Sequence, residues 1–294
     1  MAIEPWVELD VSDWLVVATN PIGTRPKDWV ASADGTRWLR KSPRKQQEGR
    51  PAPRDAELAI EAIALRLARA AGLDAPESAV ACWQEEDGSP ARGIVVKSFL
   101  QGSEELALGN QLLTGDYDPE RYEMHTLARV RDALGRHEAT EGALLTPFAR
   151  ILAFDAWVGN GDRHQENWGI IRAPGTDVRL APLFDPAACL GSQVGANDKK
   201  LQAPTQVPDR YVECCPSGFG DGAEVLKQPA VIKEAREWQE WKNCIGSWLA
   251  SFASVEVEVD ALLQEVPPAW LSAERKQFAR TLLSVRLDWL RRAA

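Results

Sequence analysis

The sequence predicts an α+β fold in which a small, sheet-rich N-terminal part precedes a larger, mostly helical C-terminal part. Three observations carry this. Paired strand-like runs separated by turn residues dominate the first hundred positions and surround a single helical stretch. Beyond Gly102 the apolar spacing becomes helical, interrupted by one hairpin-like segment. The 294 residues are 45% hydrophobic and 26% charged, an ordinary globular composition, and a chain of this length can bury roughly three quarters of its unfolded surface. We place the boundary near residue 100, giving units of 1–99 and 100–294.

In chain order, Asp13–Ala18 reads as a strand and Asn20–Lys27 as a turn-rich loop. Asp28–Ala31 and Thr36–Lys41 flank Asp34-Gly35, a strong hairpin signal. Residues 42–54, rich in proline and basic side chains, read as a solvated loop. Residues 55–71 show the clearest helical period, with Ile60, Ile63, Ala64, Leu67 and Ala71 on one stripe. Asp55 is placed to cap that helix, Gly72 to end it and Pro76 to forbid its continuation. Ala79–Trp83 and Gly93–Phe99 form a second hairpin around an acidic turn. Helices follow at 123–135 and from Thr146, whose hydroxyl precedes Pro147 in the first turn; Gly159 ends the latter. Trp168–Ile171 and Val178–Phe184 read as a hairpin. Amphipathic helices at 230–252 (Trp238, Trp241, Ile245, Trp248) and 272–292 (Phe278, Leu282, Val285, Trp289) carry aromatic stripes that read as core packing.

Composition excludes several functions. A net charge of −9 leaves no strong field for nucleic acid. Five scattered cysteines with no CxxC pair give neither a zinc ribbon nor a disulfide framework, and fit reduced thiols in the cytoplasm. No apolar run approaches the ~20 residues of a membrane span, and the first residues lack the basic and apolar regions of a signal peptide. The expectation is a cytoplasmic protein with no membrane and no direct nucleic-acid contact.

The informative segment is Val158–Asn167, Val-Gly-Asn-Gly-Asp-Arg-His-Gln-Glu-Asn, followed by Leu183-Phe184-Asp185. A helix delivers the chain to the loop holding Asp162; Asn167 sits at the mouth of a strand, and the hairpin returns Asp185 to that mouth. Oxygen-bearing side chains so gathered suit a hard cation with a free carboxylate beside it. Phosphoryl transfer uses such a set: one aspartate orients the acceptor hydroxyl, while an asparagine and a second aspartate hold magnesium against nucleotide phosphates. Asp162 is then the candidate base, and Asn167 and Asp185 the metal ligands. Asp155 reads as an acceptor tying the loop to its helix. Arg163 reads either as a phosphate contact or as a solvated side chain.

Asn160, Asp162, His164 and Asn167, followed by Pro182, Phe184 and Asp185, resemble the HipA-like kinases, in which an N-x-D-x-H-x-x-N pattern precedes a hairpin and an apolar-x-P-apolar-[YF]-D run. The Asp-Arg-His-x-x-Asn core also resembles the phosphatidylinositol kinases, but Phe-Asp-Pro favours the HipA-like pattern. Gly23 to Lys27 resembles that family's nucleotide loop. Lys41 falls where the family has its nucleotide lysine, with Arg40 and Lys27 as rivals because strand register is open, and Glu61 where a glutamate pairs with that lysine. His164 at its family position braces the catalytic loop.

The resemblance implies a two-lobed, protein-kinase-like fold with ATP in the cleft, magnesium as cofactor, and transfer to a hydroxyl, foremost a protein serine or threonine. The rival readings are a lipid or small-molecule kinase and a nucleotide-binding pseudokinase acting as an interaction module. It also places an antitoxin-like partner among the expectations, though no residue here specifies one.

Overall fold

The computed structural model describes residues 6–19, 26–43, 56–195, 198–207, 209–251 and 255–293. Gly23, Asp55 and most of the basic loop at 42–54 lie outside the described residues.

The N-terminal part is a six-stranded sheet backed by one helix. Its strands are β1 (Glu8–Asp10), β2 (Leu15–Thr19), β3 (Lys27–Ala31), β4 (Arg37–Lys41), β5 (Ser78–Gln84) and β6 (Pro90–Lys97), in spatial order β1-β5-β6-β4-β3-β2. All neighbours are antiparallel except β1, which runs parallel to β5. The hairpin expected around Asp34-Gly35 joins β3 to β4, with Gly35 at φ +82° as the turn requires. Register pairs Lys27 with Lys41 and Asp28 with Arg40, so the lysines share one face of the sheet and Arg40 turns to the other.

Helix α1 (Glu57–Ala70) crosses between β4 and β5. Its apolar stripe is buried as expected, but burial extends around the helix and takes in Glu57, Glu61 and Arg66. It stops at Gly72 (φ +75°), where the amides of Gly72 and Leu73 bond back to Arg69 and Ala68.

The C-terminal part contains β7 (Glu105–Leu108), α2 (Gly109–Leu112), α3 (Leu127–Gly135), α4 (Leu145–Val158), β8 (Gly169–Arg172), β9 (Arg179–Leu180), α5 (Lys199–Gln202), α6 (Asp209–Glu213), β10 (Pro216–Gly220), β11 (Val225–Lys227), α7 (Gln228–Ala235), α8 (Gln239–Ala250), α9 (Val255–Glu265) and α10 (Ala273–Ala293). Helix α4 is the hub: α7, α8 and α10 pack on it, and Phe148, Phe154 and Trp157 are fully buried. Among the described residues no helix is long and apolar enough to cross a membrane.

Several expectations are corrected. Thr146 does not cap α4. The Glu138 carboxylate does so, accepting the amides of Leu144 and Leu145 at 2.8 Å and of Gly142 at 3.2 Å. The single helix expected at 230–252 is two, because Trp238 turns extended (ψ 116°) between α7 and α8. Each half keeps helical spacing against α4, so periodicity alone does not reveal the break. The return strand expected at 178–184 pairs only over Arg179–Leu180; Leu183 then bonds to the carbonyl of Asp74, beyond α1. On α10 the buried stripe runs through Phe278, Leu282, Arg286 and Leu290, leaving Val285 and Trp289 half-buried at its flank.

Candidate functional site

Lys41 ends β4 and points toward α1. Its ammonium lies 2.5 Å from Glu61 Oε1 and 3.0 Å from Asp185 Oδ1. Only 6% of the Lys41 side chain and 1% of the Glu61 side chain are exposed. Burial opposes the charge on Lys41, but the Asp185 and Glu61 carboxylates outweigh it, so its pKa lies above the ordinary lysine value. Arg40, the rival position, lies on the opposite face, pairing with Asp28 at 3.2 Å and stacking over Trp83. Lys27 stands beside Lys41 in register and lines the same cleft.

The loop after α4 is built around Arg163. Gly159, left-handed at φ +71°, ends the helix and turns the chain. Arg163 then folds inward, 1% exposed, and grips Asp155 with two bonds: Nε to Oδ2 at 2.7 Å and a terminal nitrogen to Oδ1 at 2.9 Å. Its other terminal nitrogen donates to the carbonyls of Asn167 (2.5 Å) and Phe184 (3.0 Å). One guanidinium thus joins α4, the loop and the residue preceding Asp185. Arg163 is therefore neither a phosphate contact nor a solvated side chain. Burial works against its charge, but Asp155 overcomes that and raises its pKa. The acceptor reading of Asp155 matches this geometry, and Asn160 Nδ2 adds a third bond to that carboxylate at 2.8 Å.

Asp162 faces the cleft with 59% of its side chain exposed. Asn167 donates from Nδ2 to the Asp162 carbonyl at 2.6 Å, so that its amide oxygen is not used in this contact. His164 accepts the Glu166 amide at Nδ1 (3.2 Å), and its Nε2 lies 3.2 Å from Asn167 Nδ2 and 3.9 Å from Asp162 Oδ1. Tyr122 packs edge-on against its ring at 6.1 Å. Asp185 sits at φ +53°, a backbone region unfavourable for a residue with a Cβ and a common form of strain at functional sites.

These residues line one cleft of about 1150 Å³, with Lys27, Lys41 and Glu61 on one side and Asp162, His164, Asn167 and Asp185 on the other. Of the expected site residues only Gly23, outside the described residues, is not placed there. Among the described residues no group of three or more His, Cys, Asp or Glu side chains could hold a metal ion. The Asn167 amide oxygen and the Asp185 carboxylate are nonetheless hard oxygen donors of the kind magnesium takes alongside phosphates and water.

Sequence reasoning missed the support beneath the loop. Gln228 donates from Nε2 to the carbonyls of Asp155 (3.0 Å) and Asn160 (2.6 Å). Arg286 donates to the Ala156 carbonyl at 2.7 Å and to the side-chain oxygen of Gln228. The available signal was an arginine four residues from Leu282, on the buried side of an amphipathic helix.

A family model described as the HipA-like C-terminal domain matches residues 19–237. The serine/threonine-protein kinase CtkA of Helicobacter pylori is 26% identical over 145 residues, 47% of this chain and 42% of that one. The chain spans about two fifths of the length of the curated relatives it matches. A crystal structure of the H. pylori proinflammatory kinase CtkA is similar with a TM-score of 0.72 at 18% identity, covering 98% of both chains. HipA of Shewanella oneidensis, solved with HipB and operator DNA, is similar at 0.56 and 14% identity, over 98% of this chain and 70% of that one. At these identities the structural likeness is one of fold, a two-lobed arrangement with a β-rich N-terminal lobe and a helical C-terminal lobe. With the family model covering well over half its length, this chain belongs to the HipA-like C-terminal domain family.

Proposed function

We propose that the chain is an ATP- and magnesium-dependent kinase that transfers the terminal phosphoryl group to a hydroxyl, specifically a serine or threonine of a protein. The observation that carries this is Lys41, held by Glu61 and Asp185 at a cleft whose other side bears Asp162 and Asn167. In this reading residues 1–99 and 100–294 form the two lobes, with the nucleotide between them. Lys41 and Lys27 provide positive charge for phosphate oxygens. Asp162 faces the acceptor, orients its hydroxyl and takes its proton. His164 holds the loop in position through Asn167 and the Glu166 amide. Asn167 and Asp185 would hold magnesium, which when bound neutralises charge on the phosphates. The exposure of Asp162 suits a macromolecular acceptor, and the name of the relative CtkA supports the serine/threonine class.

Transfer from labelled ATP to a generic protein acceptor tests the reading. Asp162→Asn should reduce transfer by ~10²–10⁴-fold while nucleotide still binds. Asp185→Ala should remove the magnesium dependence of nucleotide affinity in calorimetry. Full transfer by Asp162→Asn, or unchanged magnesium dependence in Asp185→Ala, would overturn these assignments.

A further inference from the structure

The cleft extends beyond the residues assigned to nucleotide and metal. At about 1150 Å³ it exceeds the ~300–1,000 Å³ of a site for one small ligand. Its lining continues past Asp162 onto Lys200 of α5, Arg210 and Tyr211 of α6, and Cys214 just beyond α6. Two contacts fasten this wall to the loop that carries Asp162. The Cys215 thiol donates to the Gly159 carbonyl at 3.6 Å. The Pro216 ring packs so closely on Gly161 that a Cβ there would lie 2.9 Å from it. Behind the wall, Tyr211 meets Phe278 edge-on at 5.7 Å and packs on the apolar cluster that includes Val194, Leu201 and Leu282. Lys200 Nζ stands 5.7 Å from the centre of the Tyr211 ring, so both cations line the cleft beside that tyrosine.

Arg210 is exposed, and among the described residues its guanidinium has no hydrogen bond or ion pair. Lys200 pairs with Asp198 at 3.4 Å, with both side chains about a third exposed; water screens such a pair, and an ammonium has three donors to share. The carboxylates of the cleft lining stand elsewhere: Glu57 and Glu61 on α1, Asp162 and Glu166 on the catalytic loop, and Asp185 after the hairpin. On a chain of net charge −9, this wall is a local cationic strip next to Asp162. We propose that it selects the acceptor: a protein segment with an aspartate or glutamate close in sequence to the serine or threonine that meets Asp162. Arg210 and Lys200 hold that carboxylate through charge-assisted hydrogen bonds. This selection rests on the kinase reading above, in which the nucleotide phosphates have Lys41, Lys27 and magnesium and do not call on this wall.

Binding and transfer are measured separately, so that failure of the kinase reading and failure of the selection look different. Fluorescein-labelled peptides share a central serine and differ only in its flanking residues: glutamate, glutamine or lysine. Anisotropy follows their binding to the full chain without nucleotide, and phosphorylation is then followed with ATP and magnesium. The glutamate peptide should bind about fivefold or more tighter than the glutamine peptide, with the gap closing as salt rises. The lysine peptide should bind weakest. Arg210→Gln should shrink the gap to about twofold or less, Lys200→Gln should act in the same direction, and Arg210→Glu should reverse the order in favour of lysine. Binding that depends on Arg210 in this way without any transfer would uphold the acidic preference of the wall and overturn the kinase reading. Transfer to all the peptides without preference would overturn the selection and leave the kinase reading intact. Equal binding of the glutamate and glutamine peptides, or an unchanged order in Arg210→Glu, would also overturn the selection. So would an Arg210→Gln chain that loses nucleotide affinity as much as peptide affinity, since Arg210 would then serve the phosphates.

Discussion

Removal of the Asp155 carboxylate should unfold the protein more readily than any single change at the cleft surface. Arg163 and Asp155 are 1% and 6% exposed and joined by two hydrogen bonds. In Asp155→Ala the guanidinium keeps its bonds to the carbonyls of Asn167 and Phe184 but loses its hydrogen-bonded countercharge, leaving only the more distant Asp185 and Asp162 carboxylates. Breaking a buried pair from one side costs about 3–5 kcal/mol, against a total stability of about 5–15 kcal/mol. For a chain of this size, at about 2–4 °C per kcal/mol, the melting temperature should fall on the order of 10 °C. Urea unfolding followed by far-UV circular dichroism measures the loss. Because the pair is buried, the loss should persist at high salt. Asp155→Ala/Arg163→Ala should cost less than the sum of the single variants by more than about 1 kcal/mol, since the double variant strands no charge. Additivity within about 0.5 kcal/mol, or a stable Asp155→Ala, would refute the view that this pair organises the loop.

Lys41→Ala should weaken ATP affinity and transfer together, and Glu61→Ala should act in the same direction by releasing Lys41; calorimetry and turnover that separate the two variants would contradict their coupling. His125 offers a pH test. It contacts the Gly218 carbonyl through Nδ1 at 2.7 Å and accepts the Trp168 indole N–H at Nε2 at 2.9 Å, so it has no room for a second proton. Burial lowers its pKa to about 4. The unfolded chain therefore takes up a proton near pH 6.5 that the folded one refuses until about pH 4. Stability present above pH 6.5 should be lost across that window, by about 3 kcal/mol, and His125→Phe should flatten this part of the urea-midpoint profile. Gly218 is at φ +77°, and a Cβ there would lie 2.6 Å from the Arg163 backbone. Gly218→Ala should therefore cost more than about 1 kcal/mol in thermal unfolding.

Short-range chemistry is legible directly in the amino-acid order. Asp34-Gly35 specifies a hairpin because its turn needs a positive φ, and the period of Ile60, Ile63 and Leu67 specifies a helix. The spacing of Asp162, Asn167 and Asp185, together with its resemblance to the HipA-like pattern, marks a candidate site. The rest depends on contacts between distant segments. Lys41 is distinguished from Arg40 by which face of β4 meets α1, a one-residue difference that inverts side-chain direction. Arg163 lies beside Asp162 in sequence yet turns into the core, because its partner Asp155 stands a helical turn back and the carbonyls of Asn167 and Phe184 close around it. The helix break near Trp238 and the roles of Gln228 and Arg286 depend on what α4 presents to each segment. Those contacts span 58 to 130 positions of sequence, and no local propensity encodes a partner that distant.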